Sequence, residues 1–152
     1  MEYKANNSST RLGKGKEYLI FSQMLNEGLD LYLPLVDDDA IDVVVKRPDG
    51  VYVEVQIKAT TKNAKKAALF TVKNHQDRKN YWFVFYSELL HKMWIMSSKE
   101  FLKEATPKKD GRYSIEFNGG KSNCLDATPK KEKYLAETFD RIKRDNPNKE
   151  AR

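Results

Sequence analysis

The stretch from Val36 to Lys58 constrains the fold of this 152-residue chain more than any other part of it. Two valine-rich runs, Ala40 to Val45 and Val51 to Ile57, flank an Arg-Pro-Asp-Gly sequence at positions 47–50. Asp-Gly after a proline is a strong signal for a tight turn between antiparallel strands. The stretch therefore predicts a β-hairpin.

The alternation of side chains along this hairpin predicts which residues share a face, because successive side chains of a strand point to opposite sides. If the loop spans Pro48 to Gly50, Arg47 pairs with Val51, and the same ladder sets Asp42 opposite Gln56. In the second strand, Val51, Val53, Val55 and Ile57 then share the apolar face. The polar residues that this register gathers are Asp42, Glu54, Gln56 and Lys58.

This polar group has two interpretations. A solvated sheet face carries such a set simply as favourable cross-strand pairs. On the other hand, Val43, Val44 and Val45 run without a polar break, which predicts a strand buried on both faces. A carboxylate in such a strand needs a partner, and a divalent cation would be one.

The pattern resembles that of the PD-(D/E)XK nuclease superfamily, specifically its small resolvase-like and restriction-endonuclease-like bacterial members. The resemblance rests on Gly13-x-x-x-Glu17 opening a helix, Asp42 on a strand, and Gln56-x-Lys58 ending the next strand. It covers roughly the first half of the chain, and the order of these elements makes it more specific than a short acid-x-Lys match.

The sequence departs from the family pattern at two positions. Ile41 stands before the aspartate where the family has proline, and Gln56 replaces the acid of the acid-x-Lys pair. Some family members use glutamine there, so the second departure weakens metal binding more than it excludes it. In a shifted alignment, Glu54 takes the acid position and Gln56 takes the lysine position.

The resemblance implies an α/β fold with a mixed central β-sheet flanked by helices, and hydrolysis of DNA phosphodiester bonds that depends on Mg²⁺, with Mn²⁺ able to substitute. It places the metal on Asp42, the Gln56 side chain, the Ile57 backbone carbonyl and Glu17. Lys58 would orient the attacking water and stabilise negative charge. Glu17 or Glu54 would supply further negative charge directly or through water.

Two other functions stay open. A module that keeps this fold and binds nucleic acid without cleaving it is the main alternative, and Gln56 is its support. A protein whose positive surface binds an acidic partner is the third. The sequence does not separate DNA from RNA as the nucleic acid. A homodimer is attractive for cutting both strands.

The charge balance favours a polyanionic partner, since 28 Lys and Arg outnumber 22 Asp and Glu. A solubilising surface is an equally good explanation of the total. Six basic residues follow the hairpin closely and are predicted to contact a nucleic-acid backbone. They are Lys62, Lys65, Lys66, Lys73, Arg78 and Lys79.

The chain length predicts a single domain over residues 1–152, with flexible tails at 1–10 and 146–152. No stretch is apolar enough for a membrane span or a signal peptide, so we expect a cytoplasmic protein. Cys124 stands alone, which excludes an intramolecular disulfide and a cysteine-rich metal site. His75 and His91 are isolated from other potential metal ligands.

The remaining elements follow from periodicity and turn residues. A helix is predicted from Lys14 to Glu27, with Glu17 at the edge of an apolar stripe of Ile20, Phe21, Met24 and Leu25. Asp37 to Asp39 are expected to form a solvated loop rather than a second set of ligands. Further strands are predicted at 29–35, 68–72, 81–86, 92–96 and 111–117, and a helix at 98–105. A last helix is predicted to open in the ATPKK sequence at 127–131 and to continue to about Arg144, with a packing stripe of Tyr134, Leu135, Thr138, Phe139 and Ile142.

Overall fold

The computed structural model describes residues 9–119 and 131–144. Most of the two predicted tails, the lone Cys124 and the start of the last predicted helix at 127–130 lie outside the described residues. Within the described ranges, no helix is long and apolar enough to cross a membrane.

The described residues form two β-sheets. The strands are β1 (Asp30–Tyr32), β2 (Val43–Lys46), β3 (Tyr52–Thr60), β4 (Leu69–Val72), β5 (Tyr81–Ser87), β6 (Lys92–Ser97), β7 (Thr106–Pro107), β8 (Tyr113–Glu116) and β9 (Leu135–Ala136). The larger sheet has the order β1-β2-β3-β5-β6-β9, and the smaller one has the order β4-β8-β7. β3 and β5 run parallel, whereas the other pairs are antiparallel. The helices are α1 (Ser9–Asn26), α2 (Ser98–Glu104), a 3-10 turn (Glu132–Tyr134) and α3 (Asp140–Lys143).

The predicted hairpin is confirmed together with its register. β2 and β3 pair antiparallel with Val43 opposite Val55. One step further along this ladder, Asp42 lies opposite Gln56, as the alternation predicts. Since a slip of one residue would turn Asp42 to the other face, this register is what brings it to the site described below.

The turn of the hairpin also follows the prediction. The Arg47 amide donates to the Val51 carbonyl at 2.8 Å, and the Gly50 amide donates to the Arg47 carbonyl at 2.9 Å. Gly50 has φ of +83°, a conformation that glycine adopts at little cost. Asp49 accepts a further hydrogen bond from the Val51 amide at 3.0 Å.

Each face of the central sheet buries its own core. On one face, α1 packs over the apolar side of the hairpin, and Phe139 and Ile142 complete this core. On the other face, the aromatic side chains of β5 and β6 pack against α2 and the smaller sheet. The strands predicted at 68–72 and 111–117 form β4 and β8 of this separate small sheet, which covers a face where the predicted architecture has helices. The small sheet buries Phe70, Val72 and Ile115 against those aromatic rings.

The second core covers β5 and β6 but not β2. Val43 and Val45 are fully buried, whereas Val44 is only half-buried. The prediction that this strand is buried on both faces is therefore wrong. The reason is its place near the sheet edge, where only the three residues of β1 lie outside it.

Helix α1 begins earlier than predicted. It includes Ser9, so Gly13 lies inside the helix and does not open it. A methyl group added at Gly13 or Gly15 would meet nothing within 4 Å. Neither glycine is therefore required for a close approach to the described part of the chain. Of the predicted stripe, Ile20, Phe21 and Met24 are buried, while Leu25 is 59% exposed.

The last predicted helix is wrong over residues 131–144, where a 3-10 turn, β9 and the short α3 take its place. Leu135 lies opposite Trp94 as β9 pairs with β6. This pairing satisfies backbone groups along the edge of β6, which a helix could not do. Three members of the predicted stripe are buried all the same, namely Tyr134, Phe139 and Ile142.

Candidate active-site cleft

A cleft of about 350 Å³ opens at the end of the hairpin opposite its turn, between α1 and the end of β4. All the predicted metal ligands and the predicted catalytic lysine line it. They are Glu17, Asp42, Gln56, Ile57 and Lys58. Three separate segments therefore bring together residues that are up to 41 positions apart in the sequence.

Asp42 is held in this cleft by the strand opposite. The Ile57 amide donates to Asp42 Oδ2 at 2.6 Å, and the Asp42 amide donates to the Val55 carbonyl at 2.9 Å. The first bond orients the carboxylate along β3, beside the polar side chains of that strand. A single amide donor is modest support for a carboxylate that is largely out of water.

The electrostatic surroundings of Asp42 disfavour its charge. Burial raises the pKa of this carboxyl to about 6, and the negative charges of Glu17 and Asp37 act in the same direction. The Ile57 amide and the Lys14 ammonium oppose the shift without cancelling it. Burial is thus the main reason that the charge is disfavoured, and a bound positive ion would favour the ionised form.

Glu17 reaches the cleft from α1. Its carboxylate accepts from Lys14 Nζ at 2.7 Å, and its side chain is 17% exposed. The bond to Glu17 is the main reason that the pKa of Lys14 is raised, and Asp42 and Asp37 add to it. Lys14, which the sequence did not single out, thus joins Glu17 to the charges around Asp42.

Gln56 is 8% exposed and lies beside the Tyr81 hydroxyl. That hydroxyl lies 2.5 Å from the Ala40 carbonyl oxygen and 3.1 Å from Gln56 Oε1. A phenol has one proton, and the Ala40 carbonyl can only accept it. Rotating the Gln56 amide by half a turn resolves the conflict, since its nitrogen then donates to Tyr81 and Oε1 turns away from the ring.

Ala40 has a backbone conformation that is rare for a residue with a side chain. Its φ is +55°, in the left-handed region, and this costs about 1–2 kcal/mol for a residue other than glycine. The Tyr81 hydroxyl donates to its carbonyl and so helps to hold it there. Burial raises the pKa of Tyr81, which keeps its hydroxyl protonated. This contact anchors the chain two residues before Asp42.

Lys58 leaves β3 two residues after Gln56 and lines the same cleft, half-buried. Within residues 9–119 and 131–144, its ammonium group makes no hydrogen bond or ion pair. A half-buried cation without an internal partner is well suited to an anionic ligand. Lys73 follows β4 and reaches the cleft from the opposite side.

His75 also lines the cleft, although the sequence offered no partner for it. Its Nε2 lies 2.7 Å from Ser98 Oγ, and its ring packs against Tyr81 and Phe83. Burial, together with the Arg78 charge, lowers the pKa of His75. These contacts make it a neutral packing residue at the base of the cleft.

Glu54 lies outside the cleft. Arg78 Nη2 donates to Glu54 Oε2 at 2.6 Å, and Arg78 Nη1 donates to the Asp39 carbonyl at 2.8 Å. The same guanidinium lies 4.3 Å from the Tyr81 ring centroid. The pair thus fastens the loop before Asp42 to β3 and β5. This arrangement disfavours the shifted alignment, and it occupies Arg78 in internal contacts.

Of the six basic residues predicted to contact nucleic acid, only Lys73 lines the cleft. Lys62, Lys65 and Lys66 are exposed on the loop after β3, and Lys79 is exposed before β5. The sequence places them close to the hairpin along the chain. The connection from β3 through β4 to β5 decides how near each one comes to the cleft.

The acidic loop before the hairpin contributes more than the sequence suggests. Asp37 and Asp38 are exposed, as a solvated loop requires, yet both line the cleft. In the sequence, only the run of three aspartates indicated a role for Asp37 and Asp38. The run does not predict the path of the loop, which the Arg78 and Tyr81 contacts determine.

The donor set of the cleft fits a hard divalent cation. The predicted ligands are two carboxylates, an amide oxygen and a backbone carbonyl, and Mg²⁺ prefers oxygen donors. No cluster of three or more His, Cys, Asp or Glu side chains in the described ranges has the arrangement of a metal site. The predicted set has only two residues of those types, and the raised pKa of Asp42 supports a cation there.

Comparisons with known proteins identify the fold. A scan against protein-family models gives no match, and a search of curated proteins gives none either. Among solved structures, the bacterial homing endonuclease I-Ssp6803I aligns over 72% of this chain and 77% of its own, with a TM-score of 0.52 and 20% sequence identity. The chain shares the fold of this protein. The predicted α/β class with a mixed central sheet is confirmed.

A second solved structure is D212, a nuclease from a fusselovirus. It aligns over 70% of this chain and 79% of its own, with a TM-score of 0.42 and 16% identity. That overlap is too loose to support any inference. At these identities, neither comparison transfers an activity.

Proposed function

We propose that this protein is a metal-dependent endonuclease that hydrolyses phosphodiester bonds in DNA, with a site of the PD-(D/E)XK type. The observation that supports it best is the convergence of Asp42, Gln56, Lys58 and Glu17 in one cleft. The fold is shared with I-Ssp6803I, whose name describes a homing endonuclease. Lys73 at the edge of the cleft supplies positive charge where a phosphate would enter.

Asp42, Gln56, the Ile57 carbonyl and Glu17 are the residues that would hold Mg²⁺. When bound, this ion would neutralise charge on the phosphate and make a bound water more acidic. Asp42 contributes the carboxylate whose charge the protein itself stabilises least. Tyr81 orients the Gln56 amide, and with the amide nitrogen donating to Tyr81 the Gln56 oxygen turns away from the ring and is left for a metal ion.

Lys58 would act on the substrate directly. Its ammonium group has no partner among the described residues, so it can donate to a phosphate oxygen without first breaking an internal bond. Negative charge accumulates on the phosphate oxygens as water attacks, and a positioned cation stabilises that charge more than it stabilises the ground state. We therefore assign Lys58 to charge stabilisation and to orienting the attacking water.

A second function is a nucleic-acid-binding module with the same fold and no catalysis. It is favoured by Gln56, an uncharged ligand in the position where the family has an acid. This module would bind DNA with the same salt dependence but would release no product in Mg²⁺. The two functions therefore differ in chemistry and not in affinity.

The deciding experiment is cleavage of labelled duplex, single-stranded, flap and four-way-junction DNA, with Mg²⁺ or Mn²⁺ compared with EDTA. We expect cleavage that needs the metal and is lost in Asp42→Ala and Lys58→Ala. Glu54→Gln is the matched control, since it removes a nearby carboxylate that faces Arg78 outside the cleft.

Full activity of either cleft variant would refute the site. Salt-sensitive binding by wild type without cleavage of any DNA would select the binding module. Loss of cleavage in Glu54→Gln, with cleavage kept in the two cleft variants, would support the shifted alignment, in which Glu54 takes the acid position.

A further inference from the structure

The outer face of the smaller sheet carries a row of cations. β4 and β8 pair with Val72 opposite Tyr113, and these two side chains point inward to the second core. Lys73 and Arg112 lie one residue beyond this last pair, Lys73 after β4 and Arg112 before β8. Because neighbouring positions alternate between faces, both side chains point outward, and both are exposed.

The row continues onto the third strand of this sheet. The Lys108 amide donates to the Arg112 carbonyl at 2.8 Å, so Lys108 lies beside Arg112 at the tip of the β7–β8 hairpin. Lys108 is exposed as well. We call Lys73, Arg112 and Lys108 the basic row. It lies at one end of the smaller sheet, with one cation next to the end of each of its three strands.

Like charges on neighbouring strands destabilise a sheet, so the basic row costs folding free energy. Asp110 offsets part of that cost, since its carboxylate accepts from Arg112 Nε at 2.6 Å. Both of these side chains are about half exposed, and such pairs contribute little to stability. Lys109 adds a further cation beside them. Glu116 lies on the same outward face farther along β8. Four cations against these two carboxylates leave a positive surface.

The basic row is continuous with the cleft, because Lys73 lines the cleft itself. Beside the row, a shallow groove of about 360 Å³ is bordered by Thr71 and Ser114 together with Lys108 and Arg112. Hydroxyl and cationic side chains are the groups that contact phosphates without reading sequence. The aromatic residues of these strands, Phe70 and Tyr113, pack toward the core and offer no surface for stacking bases.

We infer that the outer face of the smaller sheet binds the backbone of duplex DNA that flanks the phosphate held in the cleft. The inference deepens the proposed function, on which it rests for the place of the scissile phosphate. Duplex DNA is favoured over a single strand because single-strand sites use aromatic stacking, which the described part of this face lacks. The contacts are sequence-independent and position the substrate.

The geometry limits how much DNA this face can cover. Neighbouring strands lie about 4.8 Å apart, so Lys73 and Lys108, two strands apart, are separated by about 10 Å. Base pairs rise about 3.4 Å along the duplex, so this span matches about three base pairs beyond the cleft. Arg112 and Lys108 thus matter only when the duplex extends at least that far on one side.

The test compares wild type with Lys108→Ala/Arg112→Ala by DNA binding in EDTA at several salt concentrations. We expect a roughly tenfold weaker affinity at low salt, and a salt slope lower by about 1.8, the value for two lost phosphate contacts. Lys46→Ala/Lys143→Ala is the control, because it removes two cations that line a separate pocket beside Arg47. That variant should leave the slope unchanged.

Trimming the duplex supplies a second test. On DNA with fewer than about three base pairs on one side of the cleavage position, wild type and the double variant should bind equally well. Thr71→Glu, which places a negative charge in the same groove, should weaken binding to the long duplex only. An unchanged salt slope in Lys108→Ala/Arg112→Ala, or equal losses on long and trimmed DNA, would overturn the inference.

The outcomes separate this inference from the proposed function. Cleavage that depends on Asp42, with no effect of the basic-row variants on the salt slope, would keep the nuclease and remove this surface. A lower salt slope in a protein that never cleaves would keep the surface and remove the catalytic assignment.

Discussion

Asp42 and Arg47 flank the two ends of β2, and they differ in how far internal contacts stabilise their charges. Arg47 is 5% exposed, its Nε donates to the Ile142 carbonyl at 2.6 Å, and its guanidinium lies 6.0 Å from the Trp82 ring centroid. Burial, with two acidic neighbours adding to it, raises the pKa of Asp42, whose carboxylate accepts from one amide. Internal partners stabilise the first charge, whereas the single donor of the second does not offset its burial.

The difference separates a structural charge from one that awaits a ligand. Both residues stand next to the same short strand, and both would be expensive to bury alone. Arg47 joins the hairpin turn to the C-terminal segment and so belongs to the fold. Asp42 destabilises the protein in its ionised form, and such a cost is typical of functional sites. Four predictions test this contrast.

The largest effect is expected for Asp42→Asn, which should reduce metal-dependent cleavage by about 10³-fold or more. The same variant should be more stable than wild type in EDTA. The folded-state pKa of Asp42, about 6, lies above the ordinary value of 3.8 for this group, so folding favours the protonated form. Stability is therefore lost as pH rises through this window.

At pH 7 to 8 we expect Asp42→Asn to gain about 1 kcal/mol in the free energy of unfolding, after allowance for screening by solvent. The gain should shrink as pH falls from 6 to 4. Urea unfolding over this pH range measures it. A variant less stable than wild type at pH 8 would show that the Ile57 amide and Lys14 outweigh the burial of Asp42.

The second prediction concerns the other end of β2. Arg47→Met should lower the free energy of unfolding by about 2–3 kcal/mol, since it leaves the Ile142 carbonyl without its donor. Any folded fraction should keep its cleavage rate, measured per folded molecule. Lys46→Met, one residue earlier, should cost under about 0.5 kcal/mol. Equal losses in the two variants would contradict the structural role of Arg47.

The third prediction tests whether Tyr81 positions Gln56. Tyr81→Phe removes the hydroxyl that contacts Gln56 and the Ala40 carbonyl, and we expect Mg²⁺ affinity to fall about tenfold, as for lost supporting contacts at other metal sites. Calorimetric titration with Mg²⁺ measures this without relying on activity. Tyr134→Phe is the control, since that hydroxyl donates to Glu104. The same loss in both variants would point to general destabilisation.

The smallest effects concern the glycines of α1. Gly15→Ala and Gly13→Ala should each raise the free energy of unfolding by about 0.5–1 kcal/mol, because alanine favours helix and the space around both positions is open. Gly13 lies one turn before Glu17, near the cleft. Thermal unfolding measures stability, and a parallel DNA-binding assay shows whether Gly13→Ala alone weakens binding. A loss of stability in either variant would contradict the open surroundings.

Much of the site could be predicted from local pattern. The turn at positions 47–50 and the alternation of valines determine the register, and the register determines that Asp42 lies opposite Gln56. These signals are local and redundant, so they predict the pairing without knowledge of the rest of the chain. Glu17 is different, since its place at the edge of the α1 stripe left its role open and the family resemblance assigned it to the site.

Other features depend on contacts that no local pattern contains. Glu54 shares a strand face with Gln56, yet it lies outside the cleft because Arg78 arrives from the connection between β4 and β5. The segment 131–144 has a helical stripe, yet its backbone pairs with the edge of β6. In both cases, a partner distant in sequence outweighs the local preference.

The sequence by itself determined the hairpin and its register, and with them the convergence of Asp42, Gln56 and Lys58, because a period of two and a tight turn leave one arrangement. Tertiary structure decided which charges are neutralised internally and which are not. Arg47 donates to the Ile142 carbonyl, Glu54 is paired with Arg78, and Lys58 has no partner among the described residues. Burial and charge pairing are properties of surfaces that meet only when the chain has folded, and for this reason they decide where a ligand is needed.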